Sequence, residues 1–286
     1  MEPFEPTNPI VLRLGSQRFD LTHRALVMGI LNRTKDSFFA PAATFLLDEL
    51  FVRAETLVGD GADLLDVGGV KAGPGDEVTV QEELDRVVPA IEGLRQRFDV
   101  PISIDSWRAR VTEAAFAAGA VLGNDISGFA DPHYLDVAAR AGASVVATHI
   151  RLRPREADPA PMYDDVTATV ESFLIDRRQR ALDAGLTAEA IVLDAGLDLG
   201  KTAAQSLQLL RDSSRLARLG SPLLLSASNK TFLGVLFDLA VTERREASLA
   251  AHALGIAAGC RIIRAHDVRG TVRVRDALCA VSMARS

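Results

Sequence analysis

Polar side chains stand at intervals along the chain, each closing a short apolar run. They are Asn32, Asp66, Asp105, Asn124, Asp125, His149, Asp194, Ser226, Ser228, Arg264 and His266. A single Asp, Asn or Ser in such a place can merely cap the helix that follows. Because similar residues recur at the same point of successive units, the spacing predicts one shared polar site rather than a series of caps.

The residue types at these positions favour a particular kind of ligand. One group combines carboxylates with an amide: Asp105, Asn124 and Asp194. A carboxylate accepts two parallel N–H bonds and an amide both donates and accepts, which suits the edge of a flat heterocycle. A second group offers cations and N–H donors: Lys230, Arg264 and His266. Such a group suits a phosphorylated tail or an anionic leaving group, so together the two groups predict a heterocycle joined to phosphate.

Eight apolar runs carry these polar residues, and their Val, Ile and Leu content is typical of parallel strands covered on both faces. The runs are Ala25–Asn32, Asp63–Gly69, Pro101–Ser106, Val121–Ser127, Ser144–Ile150, Ile191–Gly196, Pro222–Ser228 and Arg261–Asp267. Apolar residues at helical spacing fill the intervals, as in Leu84–Phe98 and Val166–Ala184. The alternation predicts a closed (β/α)8 TIM barrel, with an open doubly wound sheet as the alternative. In such barrels the chemistry lies at the carboxyl ends of the strands.

Further features complete this architecture. The segment Ile10–Leu21 is predicted to be a short N-terminal hairpin that plugs the bottom of the barrel, and Pro154–Pro161 a loop after the fifth strand. Glycines that suit the left-handed end of a helix precede four of the runs: Gly61, Gly119, Gly142 and Gly259. We see no linker or low-complexity tract, so we predict a single domain over residues 1–286, a length that one α/β barrel can fill.

The composition argues against several classes of protein. Of 286 residues, 48% are hydrophobic and 24% are charged, which is ordinary for a globular protein with a substantial core. The net charge of −6 argues against a broad basic face for nucleic acid. No apolar run reaches the ~18 residues that span a bilayer, and the acidic N-terminus lacks the features of a signal peptide. Cys260 and Cys279 lack metal-ligand spacing and fit a reducing compartment, so we expect a cytoplasmic protein.

A series of short motifs resembles the signatures of the dihydropteroate synthase family. It comprises Met28-Gly-Ile-Leu-Asn32 with Thr34 and Asp36-Ser-Phe38, Asp66-Val-Gly-Gly69, Ser103-Ile-Asp-Ser106, Asn124-Asp-Ile-Ser-Gly128, Asp194-Ala-Gly196 with Gly200-Lys201, Ser228-Asn-Lys-Thr-Phe232 and Arg264-Ala-His-Asp-Val268. Each motif alone is weak, but the ordered series covers nearly the whole chain. The resemblance implies an enzyme that joins 6-hydroxymethyl-7,8-dihydropterin diphosphate to p-aminobenzoate and releases diphosphate in folate synthesis.

The same resemblance implies which residues hold the pterin. Asp105, Asn124 and Asp194 would grip the pterin edge. Lys230 would contact the ring's carbonyl and a ring nitrogen. Arg264 would lie over the ring face, where a guanidinium stacks well.

It also implies a diphosphate and metal site. Asn32, Arg264 and His266 would hold the diphosphate, and Asn32 would face Mg²⁺, a cation that prefers oxygen ligands. Together with Lys230 these residues would form the catalytic set. Their contribution to the rate would be stabilisation of the departing diphosphate while positive charge builds on the methylene carbon.

The motifs depart from the family pattern after the first and second strands. The family's Asn-Val-Thr-Pro-Asp-Ser-Phe is rewritten so that Arg33 and Lys35 replace a valine and a proline. The family's Ser-Thr-Arg-Pro-Gly appears as Lys71-Ala-Gly-Pro-Gly75. The threonine hydroxyl and the arginine that the family uses around the diphosphate and the incoming amine are therefore absent from this motif.

Two further departures follow the sixth and seventh strands. The family's Asp-Pro-Gly-Ile-Gly-Phe-Gly-Lys appears as Asp194-Ala-Gly-Leu-Asp-Leu-Gly-Lys201, with Leu199 where an aromatic ring packs against p-aminobenzoate. In the next motif Asn229 replaces an arginine. All four changes are expected on loops that close over the second substrate. Since loss of one buried transition-state donor costs roughly 10²–10³ in rate, condensing activity is expected to be weak or absent.

The cations that replace family residues have two interpretations. Arg33, Lys35 and Lys71 either restore part of the lost positive charge, because a cation beside phosphate needs less exact placement than a bidentate fork, or they are solvated loop residues. His149, at the end of the fifth strand, has either a packing or a binding role.

Three hypotheses for function follow. The first is a paralogue that binds the pterin diphosphate and condenses it with p-aminobenzoate poorly or not at all. The second is a working dihydropteroate synthase that uses altered loops or another amine. The third is a non-catalytic binding or partner protein built on the same barrel. A related pterin-binding methyltransferase domain would have no need of the phosphate-binding set Lys230, Arg264 and His266.

Family membership would also imply a homodimer through the last helices. The apolar stretch Leu249–Ala258 and the predicted final helix Val272–Met283 could supply that interface or simply cover the barrel.

Overall fold

A closed barrel of eight parallel strands is the central feature of the computed structural model, which describes residues 4–33 and 43–283. The strands are β1 (Val11–Leu14), β2 (Gln17–Asp20), β3 (Leu26–Asn32), β4 (Leu64–Gly68), β5 (Ile102–Asp105), β6 (Leu122–Asp125), β7 (Ser144–Thr148), β8 (Ile191–Asp194), β9 (Leu223–Leu225) and β10 (Cys260–Ala265). The α-helices are α1 (Ala43–Gly59), α2 (Val80–Arg97), α3 (Ala109–Ala117), α4 (Tyr134–Ala141), α5 (Val166–Asp183), α6 (Ala203–Arg211), α7 (Ser213–Leu216), α8 (Thr231–Phe237), α9 (Arg245–Ala257) and α10 (Val268–Met283).

The barrel closes where the last strand pairs with the first strand of the barrel. The order is β10-β3-β4-β5-β6-β7-β8-β9, and β10 pairs in parallel with β3 from Ile262↔Leu26 to Ala265↔Gly29. Seven of the eight predicted apolar runs contain one barrel strand each, and the eighth, Arg261–Asp267, overlaps β10, which begins one residue earlier at Cys260. The prediction of a (β/α)8 barrel is therefore confirmed, and the open-sheet alternative is wrong.

The N-terminal hairpin, β1 and β2, seals one end of the barrel. Its strands pair antiparallel, from Val11↔Asp20 to Leu14↔Gln17. Its apolar side chains share one buried cluster with side chains from inside the barrel: Leu12, Leu14, Leu21, Leu26, Met28, Leu64, Leu122, Val146, Val192, Leu224 and Ile262. The hairpin is thus the predicted plug, and it leaves the opposite rim for chemistry.

Local sequence signals set most of the turns. The four glycines that precede strands all have positive φ: Gly61 at 95°, Gly119 at 113°, Gly142 at 62° and Gly259 at 100°. A β-carbon would strain this left-handed geometry, which is why glycine ends these helices. The predicted start of one helix at Leu84 is too late, because a capping box of Thr79 and Glu82 begins α2 at Val80.

The structure also bears on the two cysteines and on membrane-spanning helices. Cys260 is a buried free thiol and Cys279 a half-buried one. Within residues 4–33 and 43–283, no helix combines the length and apolarity needed to cross a bilayer.

Side chains inside the barrel are expected to contribute more to the free energy of unfolding than side chains on its surface. Leu224 is 2% exposed in the cluster that joins hairpin and barrel. We expect Leu224→Ala to lower the free energy of unfolding by about 2–5 kcal/mol, because it leaves a cavity between strands that cannot close in. Chemical denaturation measures this, and Leu207→Ala, at a side chain 37% exposed, is the matched control. Equal losses in the two variants would contradict the expectation.

Candidate active site

The carboxyl ends of the barrel strands bring the predicted polar residues to one rim. β3 ends at Asn32, β5 at Asp105, β6 at Asp125 and β8 at Asp194. A β-carbon added to Gly68, the last residue of β4, would lie 3.3 Å from Oδ1 of Asn32 and 3.5 Å from Oδ2 of Asp105. These side chains flank the same glycine, so the fold joins residues that lie far apart in the sequence.

Arg264 forms the centre of the rim. Its Nε donates to Oδ2 of Asp66 at 2.6 Å and its Nη2 to Oδ2 of Asp105 at 2.8 Å. Nδ2 of Asn124 also donates to Oδ2 of Asp66, at 3.2 Å. One guanidinium therefore links side chains from β4, β5 and β10, and the amide from β6 joins the same cluster. Such an arrangement fixes the plane of the guanidinium across the mouth.

Burial sets the ionisation of this cluster. It raises the pKa of Asp105 to about 7, although the cation of Arg264 opposes that rise. Burial thus favours the acid form of Asp105, whereas the ion pair with Arg264 favours the carboxylate. Asp66 is fully buried, and among the described residues its Oδ1 has no hydrogen-bond partner. The place of Asp66 at the end of a strand predicts no specific role for it, and its contact with Arg264 identifies it as the group that orients the guanidinium.

Asp194 and Lys230 belong to a second part of the rim, where the charge of each affects the other. Asp194 is 5% exposed, and its Oδ1 accepts a hydrogen bond from the backbone N–H of Gly196 at 2.8 Å. Burial raises the pKa of Asp194, whereas the cation of Lys230 lowers it. Burial lowers the pKa of Lys230, whereas the carboxylates of Asp198 and Asp194 raise it. These mutual effects place Lys230 among the acidic residues of the site.

His266 is oriented by a serine from the neighbouring strand. The backbone N–H of His266 donates to Oγ of Ser228 at 3.1 Å, and the same Oγ lies 3.0 Å from Nδ1 of His266. Since the hydroxyl accepts from the amide, its own hydrogen can point to Nδ1, which leaves the proton on Nε2.

The charge predicted for His266 is corrected by its surroundings. Burial, followed by the positive charge of Arg264, lowers the pKa of His266 to about 4. The imidazole is therefore neutral at pH 7 and supplies an N–H donor rather than a cation.

A cavity of about 310 Å³ lies beside Asn32 and His266 and is lined by two arginines, Arg53 and Arg33. Arg53, from α1, lines it, and its Nη2 donates to the backbone carbonyl of His266 at 2.8 Å. Arg33 also lines it; that side chain is 5% exposed and donates to the carbonyl of Arg86 in α2. The solvated interpretation of Arg33 is therefore wrong. Arg53 was missed because an arginine on a predicted surface helix gives no signal in the sequence.

The donor set at this rim can be compared with the needs of Mg²⁺. In the described part of the chain no group of three or more His, Cys, Asp or Glu side chains could hold a metal. Asn32 offers one neutral oxygen at the rim, and Mg²⁺ usually takes one or two protein oxygens and completes its shell with water and phosphate. The residues therefore fit Mg²⁺ only as a companion of a bound phosphate.

A buried lysine supports the loop after β8. Nζ of Lys201, 7% exposed, lies 2.8 Å from the carbonyl of Gly196, 3.0 Å from that of Leu199 and 2.9 Å from Nδ1 of His149. Burial lowers the pKa of Lys201 to about 7 and that of His149 to about 3. The ring of His149 packs edge-on against Phe173, with ring centroids 4.8 Å apart. Of the two alternatives for His149, the structure shows packing.

The loop after β4 is fastened by a residue from the loop after β7. The backbone N–H of Arg155 donates to the carbonyl of Ala72 at 3.0 Å. Its guanidinium donates to the carbonyl of Lys71 at 3.3 Å and to that of Asp76. Arg155 itself adopts a left-handed φ of 69°, uncommon for a side chain of this size. The three bonds tie the rewritten Lys71–Gly75 segment to its neighbour.

A second cavity, of about 330 Å³, opens between these loops. It is lined by residues from the loops after β4, β7 and β8, including Gly73, Glu156 and Leu199. Leu199 lines this cavity with an aliphatic side chain. Lys71 is exposed on the loop, and Lys35 lies outside the described residues.

The departure at Asn229 lies elsewhere. Its φ is 57°, its N–H donates to Oγ of Ser248 at 3.0 Å, and it lines a separate cavity beside α9. Asn229 therefore lies beside α9 and is not among the residues that line the cavity of Leu199; that all four changes border the second substrate stays a prediction.

Comparison with known proteins gives a consistent set of relatives. The family described as pterin binding enzyme matches residues 28–266. A Mycobacterium leprae protein named inactive dihydropteroate synthase 2 is 42% identical over 268 residues, which cover 92% of each chain. A dihydropteroate synthase of Synechocystis sp. is 40% identical over 276 residues, 94% of this chain and 96% of the relative. The crystal structure of the Yersinia pestis dihydropteroate synthase with a sulfonamide drug complex has a TM-score of 0.89 and 37% identity, covering 96% of this chain and 100% of that chain.

The hydrogen bonds of Arg155 are expected to restrain the loop of residues 71–76. We expect Arg155→Ala to speed amide hydrogen exchange in residues 71–76 by roughly tenfold, because two side-chain hydrogen bonds to that loop are lost. Mass spectrometry of the exchanged peptides measures this. Arg153→Ala, at an exposed neighbour in the same loop, should leave the exchange rate unchanged. An equal effect of both variants would show that Arg155 does not hold the loop.

Proposed function

The chain belongs to the dihydropteroate synthase family, and on that ground we propose that it binds 6-hydroxymethyl-7,8-dihydropterin diphosphate. Condensation of this ligand with p-aminobenzoate is weak or absent. In the family reaction the amine nitrogen bonds to the methylene carbon of the pterin. The bond from that carbon to the diphosphate oxygen breaks, its electron pair leaves with diphosphate, and the nitrogen releases one proton to solvent. The two statements depend on different parts of the rim.

The cluster around Arg264 is the observation that carries the pterin assignment. Asp105, Asn124 and Asp194 offer two carboxylates and an amide to the edge of a flat ring. Arg264, held by Asp66 and Asp105, presents a planar cation to the ring face. A binding role for these residues is supported by their convergence at one mouth.

The diphosphate belongs on the side of Asn32 and His266. Arg264 supplies fixed positive charge there, and the neutral imidazole of His266 supplies an N–H donor. Arg53 lines the same cavity and adds a cation. Mg²⁺ would be held by Asn32 with the phosphate oxygens, and when bound it stabilises the negative charge of the departing diphosphate.

The second-substrate side supports the statement about condensation. The segment Lys71–Gly75 has neither the threonine nor the arginine of the family motif, and Arg155 fastens it to the loop after β7. Leu199 offers no aromatic face to a bound ring. The Mycobacterium leprae relative, whose name calls it inactive, is 42% identical over most of the chain, which supports the same conclusion.

A working synthase for another amine is favoured by one observation. The cavity of about 330 Å³ beside the loop after β8 is large enough for a small ligand. A non-catalytic scaffold lacks a comparable argument, because a scaffold does not require the buried ionisable residues that meet at this mouth.

We also propose a cytoplasmic homodimer. Apolar side chains are exposed on each of the last three helices and between the first two of them: Val235 is 68% and Phe237 61% exposed on α8, Val241 56% after it, Leu254 51% on α9 and Val281 59% on α10. A second copy of the chain would cover such apolar surface.

Calorimetry tests the binding proposal. The protein should bind 6-hydroxymethyl-7,8-dihydropterin diphosphate with Mg²⁺ present, and Asp194→Ala should weaken binding by roughly a hundredfold or more because a buried acceptor is lost. Asp136→Ala, at an exposed site on α4, is the control. A diphosphate-release assay with p-aminobenzoate should show no turnover above background beside an active family member. Absence of binding would favour the scaffold, and turnover would favour the working synthase.

The two halves of the ligand can be separated by mutation. His266→Ala should weaken the diphosphorylated pterin by roughly tenfold, because one N–H donor to a charged group is lost, and leave the bare pterin within about threefold. Lys230→Ala should weaken both ligands, since its contact is with the ring. Titration of each variant with each ligand measures this. An equal loss of affinity for the two ligands in His266→Ala would contradict the assignment of this imidazole to the diphosphate site.

A further inference from the structure

Asp198 stands at the border between Lys230 and the second cavity in an unusual backbone conformation. Its φ is 68°, in a turn where Gly196 and Gly200 also have positive φ. The family motif has a glycine at this position, which adopts such a φ without strain. The carboxylate of Asp198 is therefore an addition to the site in a conformation that side chains seldom take.

The carboxylate of Asp198 is hydrogen-bonded to the start of α8. Oδ2 of Asp198 accepts from the backbone N–H of Thr231, and its two oxygens lie 3.2 and 3.3 Å from the backbone nitrogen of Phe232. These are the first amides of α8, immediately after Lys230. The carboxylates of Asp198 and Asp194 both raise the pKa of Lys230. The carboxylate of Asp198 thus occupies the N–H groups at the start of α8 and places a negative charge beside Lys230.

The cations near the second cavity are directed to backbone oxygens. Arg155 donates to the carbonyls of Lys71 and Asp76. Nζ of Lys201 approaches the carbonyls of the loop after β8 that it supports. Both side chains line the cavity, but the N–H groups in these bonds are already occupied, so an anionic ligand would meet the carboxylate of Asp198 without those donors.

We propose that Asp198 is a specificity-determining residue that excludes carboxylate-bearing amines, p-aminobenzoate among them, and leaves the cavity to neutral amines. This proposal rests on the proposed function of the same mouth. A carboxylate entering the cavity must face that of Asp198 or displace it from two amides, and both are unfavourable. A neutral amine keeps the nucleophilic nitrogen and avoids the repulsion.

The test compares p-aminobenzoate with 4-aminobenzamide, a neutral amine of almost the same shape. Dissociation constants are measured by ligand-observed NMR on protein saturated with pterin diphosphate and Mg²⁺, and again without the pterin. The wild-type protein should prefer the amide by roughly tenfold or more, the size expected of repulsion between two neighbouring carboxylates. Because the two amines are compared on the same sample, a change in pterin affinity cancels from the ratio.

Two variants isolate the charge of Asp198. Asp198→Asn keeps a hydrogen-bond acceptor for α8 and tolerates the left-handed φ, so it should fold normally and lose the preference. Asp198→Gly removes the side chain altogether and should also lose it. Glu156→Gln is the matched control, because it removes an exposed negative charge from the wall of the same cavity and should leave the preference within about twofold.

The outcomes separate this proposal from the proposed function. Loss of the preference in both Asp198 variants and not in Glu156→Gln supports it. An unchanged preference in Asp198→Asn, an equal loss in Glu156→Gln, or no binding of either amine to any of these proteins overturns it. Failure of the pterin diphosphate to bind instead overturns the proposed function, and the titrations without pterin still decide the role of Asp198.

Discussion

The ion pairs of one guanidinium organise the mouth of this barrel. Arg264 leaves β10 and reaches carboxylates at the ends of β4 and β5, so one side chain fixes three strands and the plane of the site together. Three charges this deeply buried would be costly if separated, because each would lose its hydration without compensation. The pairing therefore constrains Asp66 and Asp105 as strongly as it constrains Arg264, and it presents a flat cation where a planar ligand can lie.

The two sides of the mouth differ because different parts of the fold build them. Strand ends carry Asp105, Asn124 and Asp194, and their positions follow from barrel hydrogen bonding. Loops carry the side proposed for the second substrate, where side chains can change without disturbing the barrel. This division explains how the chain keeps the residues proposed to bind the pterin while its Lys71–Gly75 segment differs from the family motif and is held by Arg155.

Particular residues show where prediction from sequence reached its limit. His266 reads as a cation, but burial and neighbouring Arg264 keep it neutral. Arg33 reads as a loop residue, yet it is buried against α2. Arg53 gives no signal, and only the packing of α1 brings it to the cavity beside His266. Charge state and burial depend on neighbours contributed by other elements, so local residue type does not determine them.

The sequence by itself determined the alternation of eight strands and helices, the left-handed glycines, the hairpin and the identity of the rim residues, since these follow from local periodicity and short motifs. Tertiary structure alone decided which polar atoms meet. Only the closed barrel sets Asp66 against Arg264, and only the turn after β8 brings the carboxylate of Asp198 to the first amides of α8. Those contacts join residues distant in the chain, and their geometry depends on strand register and loop path, neither of which any single segment encodes.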